Sequence, residues 1–370
     1  MINKVTLGSL CLPATGQIKE NPETIIDYID ISSVSNETKS ITGYISLPFS
    51  QAPSRARKSL CKGSILVSTV RPNLNAVAVL DSETPNKPVA STGFCILNCR
   101  NGVDQSFVFN FCKSKAFIDQ MTMQATGASY PAVSDIIVRA AKLPAYSYEK
   151  QKQIGNILDK VFELINMRKQ ELKSLDDLIK ARFVEMFGDP ISNEKEWETV
   201  PLMNVCLKIF GGGTPSKSHL EYFEGSIPWV SPKDMKSDVI TESIDHITED
   251  AIANSTTNLV PESSVLMVIR SGILKHHLPV AINAVPVTIN QDMKAFIPGE
   301  RITASFLRDY FKAIEPDVLS GVRGVTADNI DFKAFQQREV ILPPISLQNA
   351  YEDFCKQVDK SKFVAYYFAA

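Results

Sequence analysis

The chain has 370 residues, 44% of them hydrophobic, and a formal net charge of −2, which allows substantial cores in two or three domains but announces no nucleic-acid binder by charge alone. Its seven cysteines (Cys11, Cys61, Cys95, Cys99, Cys112, Cys206 and Cys355) are odd in number, scattered and without a Cys-x-x-Cys pair, which speaks for a reducing cytosol and against a disulfide framework or a zinc site. The first residues lack a signal-peptide-like apolar run and no stretch approaches the ~20 apolar residues of a membrane span, so a soluble, cytoplasmic protein without a membrane partner is expected.

The first half opens with Val5-Thr6-Leu7-Gly8-Ser9-Leu10-Cys11. Residues 64–70 and 76–80 are short apolar and β-branched runs, expected to be strands. They flank a turn signal, Arg71-Pro72-Asn73. Residues 105–121 carry a helical pattern, and a polar loop, Gly127-Ala128-Ser129-Tyr130-Pro131, follows.

After Leu143-Pro144 comes the stretch that organises the chain. Over residues 148–187, Leu158, Ile165, Leu172, Ile179 and Met186 recur every seventh position, and Ile154, Val161 and Leu175 fill alternate seam positions. Heptad spacing over about four repeats predicts one helix suited to a coiled coil. At a rise of ~1.5 Å per residue it spans roughly 55–60 Å, a length that suits a spacer between two modules. Arg168 and Arg182 also lie on the seam, where their stems can cover apolar surface while their charges reach the edge.

The second half repeats the first. Val200-Pro201-Leu202-Met203-Asn204-Val205-Cys206 echoes its opening. At an offset of roughly 199, residues 66–71 match 265–270 and Ser106-Phe107 matches Ser305-Phe306. In-order matches of this period indicate a duplicated domain rather than a solenoid. Strands are expected at 264–269 and 285–289 and a helix at 304–314. Leu342-Pro343 leads into a last segment with Leu347, Tyr351, Phe354 and Val358 at helical spacing. An antiparallel partner for the central helix is expected here, since an apolar seam must be covered, about half the length of the first and weakened at Ser361 and Ala365.

Charge is segregated. Residues 38–80 contain no Asp or Glu yet carry Lys39, Arg55, Arg57, Lys58, Lys62 and Arg71. Residues 199–220 and 263–291 are likewise acid-free and carry Lys208, Lys217, Arg270, Lys275, His276 and His277. One basic face per module is the footprint expected for phosphate contact. Signatures of catalysis are absent: the chain has no Walker motif, nucleophile elbow, His-Glu-x-x-His or adenine-methylating Asp/Asn-Pro-Pro-Tyr/Phe tetrapeptide. Asp30 with Glu37-Thr38-Lys39 has a superficial nuclease-like pattern, read here as solvated loop.

Four stretches, in order, resemble the specificity subunit of type I restriction-modification systems over nearly the whole length. They are Leu143-Pro144 with Gln151-Lys152-Gln153-Ile154, residues 181–190 (Ala-Arg-Phe-Val-Glu-Met-Phe-Gly-Asp-Pro), residues 211–217 followed by 227–235, and Arg270-Ser271-Gly272-Ile273-Leu274-Lys275 with Asn290-Gln291-Asp292. The loop 127–134 adds to them. The resemblance implies a mixed α/β fold of two similar target-recognition domains, at 1–146 and 191–345. Between and after them lie a spacer helix at 147–190 and a short C-terminal helix at 346–370, forming an antiparallel coiled coil. It further implies double-stranded DNA with an asymmetric split target, two methyltransferase subunits using S-adenosylmethionine, and motor-nuclease subunits using ATP and magnesium. This chain itself would be non-catalytic and hold no metal or cofactor.

For DNA reading, Arg71 and Arg270 are candidates for guanine, and Asn73, Asn75 and Asn283 for adenine. Arg55, Arg57, Lys58, Lys217 and Lys275 are candidates for phosphate. Glycines 211 to 213 are expected to bring backbone N–H groups near DNA. Ser129, Tyr130, Thr214, Ser271, His276, His277 and Arg323 complete the set, with Gly212 at the centre of the glycine run. Two departures from the family pattern stand out: Ala350 takes the place of Gln151, and the last helix stops short of a Phe-Gly ending, as in a truncation. The competing readings are the recognition polypeptide of a fused restriction enzyme, a nuclease in its own right, and a coiled-coil scaffold.

Overall fold

A computed structural model describes residues 3–14, 16–322 and 329–367, with side chains described to residue 362. Arg323 lies outside the described residues. The chain divides into two compact units, Met1–Met167 and Arg168–Ala370, and the division falls within the helix Tyr148–Phe187.

The first unit is closed at its base by strand Lys4–Thr6, which pairs antiparallel with Lys142–Pro144. Its centre is a three-stranded antiparallel sheet in which Ile65–Ser68 is flanked by Val77–Val79 and Phe94–Leu97. The central strand is buried on both faces because its alternate side chains serve different cores. Ile65 and Val67 pack with Phe107, Val108, Cys112 and Phe117 of the helices Gln105–Lys113 and Lys115–Thr122. Leu66 faces the opposite way, with Ile29, Ala78, Phe94 and Ile96. The expected single helix at 105–121 is broken at Ser114, whose extended backbone and side-chain acceptance from Phe117 N start a second helix. A four-stranded sheet, Ile45–Pro48, Ile25–Ile29, Lys87–Ser91 and Ala56–Ser59 in that spatial order, completes this unit.

The second unit rebuilds the same frame. Thr199–Pro201 pairs with Glu339–Ile341, and Val265–Val268 sits between Val280–Asn283 and Met293–Pro298. Helices Ala304–Ala313, Glu315–Ser320 and Phe332–Gln336 follow. Of the strand expected at 285–289 only Thr288–Ile289 forms, and the strand that pairs with Val265–Val268 lies earlier, at Val280–Asn283. Here the sheet grows to five strands by adding Cys206–Gly211 at one edge and, in parallel, Val239–Ile240 at the other. Duplication therefore covers the scaffold, and the units differ in what is added to it.

The structural register corrects one expected departure. Gln151 Oε1 accepts from Asp104 N and its Nε2 donates to Tyr146 O. In the second unit Gln348 does both tasks: Oε1 accepts from Thr303 N, and Nε2 donates to Arg301 O and Pro343 O. Gln348, not Ala350, is the counterpart of Gln151. By the same register Leu143 corresponds to Val340, each paired with the opening strand, so Leu342-Pro343 lies two residues beyond the true equivalent of Leu143-Pro144.

The helix Tyr148–Phe187 is continuous over 40 residues. Within the first unit Ile154 packs on the core, whereas Leu158 and Val161 are 42% and 46% exposed and Ile165 is half-buried. Within the second unit Leu172 and Leu175 are half-buried, and Ile179, Phe183, Met186 and Phe187 enter the core. There the C-terminal helix Ile345–Tyr367 packs antiparallel against it. Tyr351 lies 5.3 Å from the Phe187 ring and 5.7 Å from Phe183, Phe354 sits under Arg182 at 5.6 Å, and Lys362 reaches Asp176 at 2.7 Å. Leu347 and Val358 join the same core. The seam is covered along its C-terminal half, as the short partner helix leads one to expect.

Candidate nucleic-acid interface

In each unit the central strand runs out to a corner that carries an arginine, but one residue apart in register: Val70 stands where Arg270 does, so residues 66–71 correspond in space to 266–271 rather than to 265–270. Ile65–Ser68 runs into Arg71 and the 3-10 turn Pro72–Leu74, and Val265–Val268 runs into Arg270 and the turn Gly272–Lys275. Both corners are braced by a returning loop, through the bridges Val70 to Ala132 and Arg270 to Asn329.

At the first corner Arg71 adopts φ 47°, in the left-handed region, a conformation uncommon for a residue with a Cβ. Its N–H donates to Pro131 O at 2.7 Å, and its guanidinium lies 4.6 Å over the Tyr130 ring. Tyr130 is itself 67% exposed and Ser129 is exposed beside it. Gly127, at φ +103°, sharpens the loop, where a Cβ would press on Tyr130 O at 2.8 Å. Arg71, Ser129, Tyr130 and the exposed Asn73 thus share one surface. Asn75 does not: it is buried, donates to Cys112 O at 2.9 Å and accepts from Lys39 Nζ at 2.9 Å. Its role is to lock the turn.

The neighbouring basic run is less available than its composition implies. Lys58 pairs with Asp135 at 2.5 Å with its side chain only 15% exposed. Arg57 lies 4.9 Å over Phe49 and donates to Ala56 O. Arg55, 57% exposed and 3.2 Å from Asp30, keeps the most open charge of the three. Asp30 caps its own turn through Ile31 N and Lys39 Nζ donates to Asn75 O, so the nuclease-like pattern does not gather into a site.

At the second corner Asp292 holds Arg270: its Oδ1 accepts from Nε at 2.6 Å and lies 2.5 Å from Nη2 in an ion pair. Ser271 caps the turn through Ile273 N, and Lys275, His276 and His277 are exposed along it. Lys217 is exposed on its own loop. The glycine run has a different purpose from the one expected. Gly212 N donates to Met293 O at 3.4 Å and Gly213 N to Ile289 O at 3.1 Å, and a Cβ on Gly212 would collide with Ile289 O. These glycines let two backbones approach inside the unit, so their N–H groups are already engaged. Thr214 bonds Gln291 through its hydroxyl, and Asn283 is fully buried, donating to Pro261 O and Val285 O.

Sequence reasoning overlooked Asp292 and Gln291 as site residues. A usable signal existed, since Asp292 is the first acid after the acid-free stretch 263–291. Among the described residues, no group of three or more His, Cys, Asp or Glu is placed to hold a metal ion, and no helix is long and apolar enough to cross a membrane.

Comparison with known proteins bears on this geometry. Residues 194–363 match the family model described as the type I restriction modification DNA specificity domain. The chain is 36% identical over 226 residues to the specificity subunit of an Escherichia coli type I restriction enzyme; the match covers 58% of this chain and 53% of that relative, about half its length. In fold it is similar, with a TM-score of 0.57 at 24% identity, to a chain solved in a study of complex assembly and conformational transition of the type I restriction-modification system, over 99% of this chain and 93% of that one. It is also similar, with a TM-score of 0.59 at 13% identity, to the S subunit of a type I restriction-modification system from M. genitalium, over 100% and 92% of the two chains.

Proposed function

We propose that this chain is a specificity subunit of a type I restriction-modification system, and that it addresses such a complex to an asymmetric, split site on double-stranded DNA. Each unit reads one half of the target through its corner arginine. Arg71 with Tyr130 and Asn73 serves the first half-site, and Arg270 serves the second. Exposed cations such as Arg55 and Lys217 set the register on phosphates. The observation that carries the reading is an exposed arginine at the strand-to-turn corner of each duplicated unit, one residue apart in register and with different surroundings (Tyr130 in one, Asp292 in the other). Like scaffolds with unlike reading surfaces are what a non-palindromic bipartite target requires.

In this reading the chain has no chemistry of its own. Two methyltransferase subunits, using S-adenosylmethionine, and restriction subunits, using ATP and magnesium, are its partners in the cytoplasm, and the helical spacer helps to place them. The decisive experiment is co-expression with the cognate methyltransferase subunit in a methylation-free host, followed by genome-wide mapping of N6-methyladenine. A single split motif with two unlike halves is the expected result. An assembled complex that neither methylates nor prefers any sequence would sink the proposal, and magnesium-dependent cleavage by the purified chain alone would favour a nuclease.

A further inference from the structure

We infer that Asp292 is a positioning residue that turns Arg270 toward a guanine in the half-site read by the second unit; this rests on the DNA-reading function proposed above. Asp292 is fixed before any ligand arrives. Its backbone carbonyl accepts from Ile269 N at 2.8 Å and Arg270 N at 3.2 Å. Its N–H donates to Asn290 Oδ1 at 3.1 Å, and Asn290 Nδ2 donates to its Oδ2 at 3.2 Å. Asn290 is buried. A buried amide therefore holds a carboxylate, and the carboxylate holds a guanidinium.

The edge that Asp292 occupies determines what remains. Oδ1 accepts from Nε–H and lies against Nη2 of Arg270, so it covers the Nε/Nη2 edge. The guanidinium's other donors lie on the Nη1/Nη2 edge, the fork that matches O6 and N7 of guanine in the major groove. Phosphate clamping is the weaker use of such a pair. Paired with a carboxylate, Arg270 brings no net charge to attract the DNA backbone, and counterion release depends on net charge. Stability is not its purpose either, because a pair with side chains 48% and 23% exposed is worth little to folding.

The first unit supplies the internal comparison. Gly93 O accepts from Thr69 N at 2.8 Å, as Asp292 O accepts from Ile269 N, so Gly93 stands where Asp292 does. A Cβ on Gly93 would run into Ile31 Cδ1, and by the same register Val70 stands where Arg270 does, so the first unit has neither member of the pair at these positions. Arg71 is instead held by Tyr130. Dependence on a carboxylate is thus confined to one half-site.

The test uses the full chain with its methyltransferase partner, bound to duplexes carrying each single base change in the target, for wild type, Arg270→Ala, Asp292→Ala and Asp292→Asn. Wild type should discriminate at one guanine by roughly 10-fold or more. Arg270→Ala and Asp292→Ala should both lose that discrimination at the same base, with the other half-site read as before. Affinity of Asp292→Ala for an unrelated duplex should equal or exceed that of wild type, because removing an acid leaves Arg270 free to attract phosphate; a residue needed only for folding would not behave so. If Asp292→Ala fails to fold, Asp292→Asn carries the test, with weakened discrimination at the same base expected and wild-type discrimination overturning the inference. Unchanged discrimination in Asp292→Ala, loss spread over both half-sites, or a second half-site without guanine overturns it too. A wild-type complex with no sequence preference overturns the proposed function and this inference with it, whereas wild-type preference with an unaffected Asp292→Ala overturns this inference alone.

Discussion

Arg71 and Arg270 stand at the same corner of two copies of one scaffold, one residue apart in register, and one lies on an aromatic ring while the other lies against a carboxylate. The first arrangement leaves the guanidinium a net positive charge, and the second neutralises it. Arg71→Ala should therefore both weaken sequence discrimination in its half-site and flatten the salt dependence of binding, whereas Arg270→Ala should affect discrimination with little change in salt slope. Binding titrations at several salt concentrations separate the two. Tyr130→Ala should cost about 0.5–1 kcal/mol of affinity at such an exposed stack, much of it recovered by Tyr130→Phe, which keeps the ring; full loss in Tyr130→Phe would assign the function to the hydroxyl. Composition pointed to the basic segments, but not to the availability of their charges. Arg55, Arg57 and Lys58 look alike in the chain, and only their neighbours Asp30, Phe49 and Asp135 distinguish them.

Among the elements, the entries to the two long helices are the most constrained. Gln348 is fully buried and satisfies Thr303 N, Arg301 O and Pro343 O at once. Gln348→Ala should destabilise the second unit by about 1–3 kcal/mol, the penalty for stranding buried polar groups, seen as a lower denaturant midpoint. Gln151→Ala should act likewise on the first unit. Phe183→Ala removes a ring packed on Phe187, Phe306 and Tyr351 and should cost about 3–5 kcal/mol; an unchanged midpoint would mean that the two helices do not depend on this junction. Heptad spacing was enough to expect the central helix and to place Ile179 and Met186 on its buried side. It did not distinguish them from Leu158 and Val161, because the same seven-residue repeat continues past the part that the C-terminal helix covers.

At the scale of the molecule, duplication with divergence predicts a single bipartite methylation motif whose halves can be altered separately. Arg71→Ala should relax only one half of the mapped motif and Arg270→Ala only the other. Relaxation of both halves by either change would mean that the units do not read independently. The linear order of residues determined the duplication, the long helix, the short antiparallel partner and the family resemblance, since periodicity and ordered motifs are properties of the chain itself. Tertiary structure alone decided which polar groups face outward. Asn75, Asn283 and the Gly212 N–H satisfy buried backbone groups of the fold, while Asp292, an acid beside a basic stretch, turned out to orient Arg270. The physical reason is that hydrogen bonds and ion pairs act over about 3 Å in space, and the partners lie 22 to 81 residues apart in the chain, where no local pattern links them.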